Sequence, residues 1–89
     1  MKIENNTIIF KSTPEYYQKE KYGLKCNTVR EILNPIEFKA LVDFFQDFNI
    51  IPNKKITIIN SETNDSFVRR LTDISFYKGL YIFSWEHSK

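Results

Sequence analysis

A single cysteine, Cys26, stands in this 89-residue chain, so no internal disulfide can form and packing alone must hold the fold. That constraint is severe, because a domain this short buries only about 60–65% of the surface its unfolded chain exposes. The aromatics can meet it: eight Phe, five Tyr and one Trp, each bringing roughly 150–250 Å² of burial. With 42% hydrophobic and 27% charged residues, the composition is globular rather than disordered, and the length fits one domain over residues 1–89. A lone thiol suits a reducing compartment. No apolar leader and no run near about 18 apolar residues occurs, so the expectation is a cytoplasmic protein that makes no membrane contact.

Local signals set the order of elements. Thr7-Ile8-Ile9-Phe10 is a β-branched and aromatic run, read as the first strand after a short polar stretch at residues 2–6. Ser12-Thr13-Pro14 gives a hydroxyl cap followed by proline, predicting a helix over residues 14–22 that stops at Gly23. Residues 28–32 alternate as a strand. Asn34-Pro35 repeats the cap-and-proline signal and predicts a second helix over residues 35–49, with Phe38, Leu41, Val42, Phe45 and Phe48 on one apolar face before Pro52-Asn53 breaks it. Three strands follow, at residues 55–60, 66–74 and 80–85, the last two joined at Lys78-Gly79. The expected architecture is α+β: a small, bent five-stranded sheet or part-closed β-barrel carrying two short helices.

One constellation carries chemistry. Residues 23–30, Gly-Leu-Lys-Cys-Asn-Thr-Val-Arg, cross from helix to strand. Alternate strand residues share a face, so Thr28 and Arg30 point the same way, and Lys25 in the preceding turn can swing onto that face. A cation, a hydroxyl and a guanidinium fork would converge there, groups that suit phosphate, carboxylate or a base edge. The same residues also read as a solvated surface, with Arg30 paired to an exposed carboxylate such as Glu31.

The spacing G-x-K-x-x-T-x-R, formed by Gly23, Lys25, Thr28 and Arg30 after a first strand and helix, resembles the signature element of ASCH domains, relatives of the PUA RNA-binding fold. The order of elements agrees over most of the chain, and Ile82-Phe83-Ser84-Trp85 resembles a terminal barrel strand. The resemblance implies a small β-barrel whose cleft faces this element and binds RNA or a modified nucleoside. Residues 11–30 also resemble small uncharacterised prophage proteins of low-GC Gram-positive bacteria. An amidohydrolase of the superfamily, acting on N4-acetylcytidine, carries a similar element; its Lys and Thr work with a downstream Glu. Carried over, Lys25 would be the base and Thr28 the nucleophile or its orienter. The Glu lies in a helical insertion that has no counterpart here, and Glu62, Asp73 and Glu86 stand in other contexts.

Other residues extend the list. Arg69 and Arg70 sit mid-strand and point to opposite faces; with Lys54 and Lys55 they offer a basic rim that can track a phosphate backbone, or simple edge-strand charges. Tyr16, Tyr17, Tyr77 and Tyr81 are candidates to stack a base. Cys26 lacks an evident base, the one histidine being His87, and no Cys/His spacing forms a metal site. A net charge of +2 does not itself argue for nucleic acid. The expectation is a non-enzymatic RNA- or nucleotide-binding module using Lys25, Thr28, Arg30, Tyr16 and Arg70, without cofactor or metal. The alternatives are an amidohydrolase on a modified nucleoside such as N4-acetylcytidine, and a phage-type protein that binds a host protein.

Overall fold

Short β-branched runs separated by turn residues make the strands, and the two proline-started segments make the helices. The computed structural model describes residues 1–45 and 54–86. Its elements are β1 (Lys2–Glu4), β2 (Thr7–Ser12), α1 (Pro14–Lys21), β3 (Asn27–Glu31), α2 (Pro35–Phe45), β4 (Lys55–Asn60), β5 (Ser66–Tyr77) and β6 (Leu80–Trp85). The six strands form one mixed sheet in the order β1-β2-β4-β5-β6-β3. The α+β class is as expected, but the sheet has six strands where the sequence predicts five, and backbone pairing does not close it.

The additional strand is β1. Asn5 takes φ 54, a conformation asparagine tolerates better than most residues, and the two-residue turn Asn5-Asn6 folds Ile3 back opposite Ile8. The Lys78-Gly79 turn behaves as predicted: both residues have positive φ and join Tyr77 to Leu80 in a tight hairpin. β2 and β4 are parallel, a pairing that requires a long connection, and α1, β3 and α2 occupy it. β5 is longer than predicted. It pairs with β4 through Ser66–Arg70 and with β6 from Leu71 onward, with an irregularity between Leu71 and Asp73. Such irregularities bend a strand, and here the bend turns the two halves of the sheet toward one another.

Alternate positions supply the core: Ile8 and Phe10, Ile56 and Ile58, Phe83 and Trp85 are all buried. The bend lets Phe10 of β2 meet Phe83 of β6, with ring centroids 4.9 Å apart. α1 adds Tyr17, whose ring lies 5.3 Å from that of Phe67. α2 adds Leu41 and Phe44. The predicted face of α2 is therefore corrected: Phe38 and Val42 are 47% and 43% exposed, and the buried stripe runs through Leu41 and Phe44. Periodicity identified an apolar sector, and the line along which the helix meets the sheet selected one side of it. The side chain of Phe45, together with Phe48, the predicted end of the helix, Pro52-Asn53 and His87, lies outside the described residues. No helix among those described is long and apolar enough to cross a membrane.

Candidate functional site

The way α1 ends builds the site. Tyr22 N–H donates to the Gln18 carbonyl at 3.1 Å, Gly23 turns at φ 81, and Lys25 N–H donates to the Lys19 carbonyl at 3.1 Å. Two of the helix's last four carbonyls are thus satisfied, and the chain reverses into β3. Lys25 is delivered beside Tyr16, its Nζ 4.8 Å from the ring centroid. At the start of α1, Thr13 is extended and Pro14 opens the helix, but the Thr13 hydroxyl makes no capping bond.

β3 presents Thr28 and Arg30 on one face, as the alternation predicts. Arg30 Nε donates to Thr28 Oγ1 at 3.0 Å, Nη1 to the Lys11 carbonyl at 2.8 Å, and Nη2 to Ser12 Oγ at 2.9 Å. The guanidinium also lies over the Phe10 ring, with Cζ 4.7 Å from its centroid. The Arg30 side chain therefore spans from β3 to β2, strands that are not neighbours in the sheet. Three of its five N–H donors are engaged, fixing the fork and the Thr28 hydroxyl together. Arg30 makes no pair with Glu31. Burial pulls its pKa below the ordinary arginine value, and the Glu20 carboxylate nearby opposes that shift.

Between these elements lies a cleft of about 530 Å³. β2 and the following turn contribute Lys11, Ser12 and Thr13; α1 contributes Tyr16 and Glu20; the reversal contributes Lys25; and β3 contributes Thr28, Val29 and Arg30. Four of the five expected site residues, Lys25, Thr28, Arg30 and Tyr16, are thus brought together. Arg70 is not: it is exposed outside the cleft, where Glu86 accepts from its Nε at 3.2 Å and from its Nη2. Arg69 points the other way, donating to the Lys21 carbonyl at 3.1 Å. Lys54 is held by Asn6 Oδ1 at 3.2 Å and does not line the cleft. Tyr17 is core, and Cys26 Sγ donates to the Gly23 carbonyl at 3.6 Å.

The residue that sequence reasoning missed is Glu20. None of Glu62, Asp73 and Glu86 lines the cleft; the carboxylate that does comes from α1. Glu20 is 0% exposed, and neither of its oxygens accepts a hydrogen bond from any described residue. A signal was available. The helix PEYYQKEK has only two large apolar side chains, Tyr16 and Tyr17, so their side must face the sheet. Glu20, four and three residues on, shares that side.

Chemically, the cleft holds a cation, Lys25, whose ammonium rests over the Tyr16 ring and makes no hydrogen bond or ion pair among the described residues, and a carboxylate, Glu20, that accepts none. A fixed hydroxyl and guanidinium line the same cleft. Such a site offers donors to an anion and acceptors to an N–H group. Among the described residues no three His, Cys, Asp or Glu side chains gather as metal ligands. Compared with family models and with curated proteins, the sequence matches none.

Proposed function

We propose that the domain binds a nucleotide, free or within RNA, in the cleft between β2, α1 and β3. It acts as a non-enzymatic module of the ASCH/PUA-like kind, its curled sheet being a part-closed barrel. The observation that carries this reading is the pair of opposite charges lining the cleft, the Lys25 ammonium without a hydrogen bond or ion pair and the Glu20 carboxylate without a donor among the described residues, together with the fixed Thr28–Arg30 unit. A simple phosphate or carboxylate would suit Lys25 but be repelled by Glu20. A nucleotide brings an anion for Lys25 and, once the cleft relaxes enough to uncover the buried Glu20 carboxylate, N–H donors on its base for Glu20. The cleft volume of about 530 Å³ falls within the range of about 300–1,000 Å³ usual for small-ligand sites, and the Tyr16 ring, 51% exposed, can stack a base as Lys25 Nζ moves from over the ring to the phosphate.

The test is a titration of ribonucleoside monophosphates and short oligoribonucleotides at low salt. Binding is expected, and Lys25→Ala should weaken it about tenfold, the loss of one partly solvated charge-assisted contact, while flattening its salt dependence. No binding at low salt, or binding that ignores Lys25→Ala, would overturn the reading and favour the binding of a host protein instead.

One observation favours a second reading. The cleft contains Lys25, Thr28 and a carboxylate, the side-chain types used by the N4-acetylcytidine amidohydrolase that the G-x-K-x-x-T-x-R element resembles. Against it, no hydrogen bond joins Glu20 to Lys25, so the two side chains are not assembled with Thr28 into one proton-transfer set. Acetate released from N4-acetylcytidine by the wild type and not by Thr28→Val would establish the enzyme; no release is expected.

A further inference from the structure

We infer that the ligand runs past Arg30 into a second cavity, so that the domain holds at least two consecutive nucleotides of a single strand rather than one free nucleotide. This inference rests on the nucleotide reading of the first cleft. A second cavity of about 340 Å³ adjoins the first, and the two share Lys11 and Arg30 as walls. Met1 and Phe10 contribute to its lining, and its remaining walls, Lys2, Ile9 and Ile59, lie with Lys11 on one face of the sheet. Lys2 stands opposite Ile9 in the β1–β2 register, and Lys11 stands opposite Ile59 in the β2–β4 register. Ile9 and Lys11 are two apart on one strand, so these four residues share a face. That face interleaves lysine with partly buried isoleucine, apolar surface for a base beside cations for a backbone.

The ridge between the cavities suits a phosphodiester. Arg30 commits three N–H donors to β2 and β3, which leaves two on a fork that is already immobilised and costs little further entropy to bind. Lys11 donates nothing through its ammonium among the described residues and is exposed on the same ridge. A phosphate linking two nucleotides would rest between Lys11 and Arg30, with one base beside Tyr16 and the next against Ile9 and Ile59. Lys2 is paired with Glu4 at 2.8 Å, but both side chains are exposed, and such a pair yields readily to a phosphate.

The experiment compares uridine monophosphate with the 5′-phosphorylated dinucleotide pUpU at low salt, on the wild type and on Lys2→Glu. Lys2 touches only the second cavity and is exposed, so the variant is expected to fold; matching circular dichroism and melting verify that, and Lys2→Ala serves as a milder second variant. The dinucleotide should bind about tenfold tighter than the mononucleotide, the gain from seating a second base. Lys2→Glu should remove most of that gain and leave the mononucleotide unchanged. If pUpU binds no better than the mononucleotide, or Lys2→Glu weakens both equally, the second cavity takes no nucleotide and the inference falls while the cleft reading stands. If neither ligand binds, the cleft reading itself fails and takes the inference with it.

Discussion

Among the buried polar side chains some are satisfied and some are not: Tyr17 Oη, Arg69 Nε and Trp85 Nε1 find no partner among the described residues, and the one buried carboxylate, Glu20, finds none for either oxygen. Asn60 accepts from Glu62 N–H at 2.9 Å and Thr63 N–H at 3.3 Å, organising its own turn, and Ser12 and Thr28 both accept from Arg30. Glu20 has neither kind of support. Leaving a buried group without its hydrogen bonds costs about 1–3 kcal/mol, and more when it is charged. Against that stands the attraction between Glu20 and Arg30, yet Arg30 keeps all three of its acceptors without Glu20. The desolvation term should win. Glu20→Met, similar in volume and a good helix former, is expected to stabilise the domain by about 1 kcal/mol in urea melts while weakening nucleotide binding. Lower stability instead would mean that the Glu20–Arg30 attraction dominates and that the carboxylate serves the fold. At this scale the sequence was partly legible. The common face of Thr28 and Arg30 follows from strand spacing and Lys25 from the glycine turn. The acceptors for Arg30, 18 and 19 residues away on β2, follow only from the curl of the sheet, and the pairing of Arg70 with Glu86 follows from the meeting of β5 with β6.

Among the elements, α2 shows how a helix with more apolar surface than it can bury chooses its face. Leu41 and Phe44 go inward, while Ile36, Phe38 and Val42 remain largely exposed, Phe38 keeping an edge contact with Tyr81 at 6.5 Å between centroids. Truncating an inward residue leaves a cavity; truncating an outward one does not. Phe44→Ala is expected to cost about 3–5 kcal/mol, a large share of the roughly 5–15 kcal/mol that holds a domain together. Val42→Ala should cost below about 1 kcal/mol. Equal losses in denaturant melts would show that the helix is covered on both sides. Strand and helix types along the described chain were readable from composition and punctuation, because β-branched runs, proline starts and glycine stops act locally. β1 was not read, since three residues of Lys-Ile-Glu carry too little signal to distinguish an edge strand from a polar terminus, and the orientation of α2 was not, since tertiary contact decides it.

The whole molecule is an open sheet held in a curled shape, and Arg30 is the side chain that bridges the opening. β3 hydrogen-bonds through its backbone only to β6, and β2 to β1 and β4, so the approach of β3 to β2 depends on the bend in β5, on contacts such as Phe10 with Phe83, and on the Arg30 fork. Both cavities take Arg30 as a wall, which makes this one side chain a support for the fold and for the surface proposed to bind. Arg30→Met keeps the apolar stem over Phe10 but removes all three hydrogen bonds and leaves the buried Ser12 and Thr28 hydroxyls to find other partners. Charge-assisted bonds are worth about 1.5–3 kcal/mol each when removed. Partial exposure of the arginine and the desolvation it escapes on replacement reduce the sum to about 2 kcal/mol. The variant should stay folded, exchange its β3 amides faster while those at the β4–β5 pairing keep their relative protection, and lose binding of both the mononucleotide and the dinucleotide. Unchanged exchange in β3 with a stability loss under about 0.5 kcal/mol would show that backbone pairing and the aromatic core hold the curl unaided, leaving Arg30 to the ligand alone.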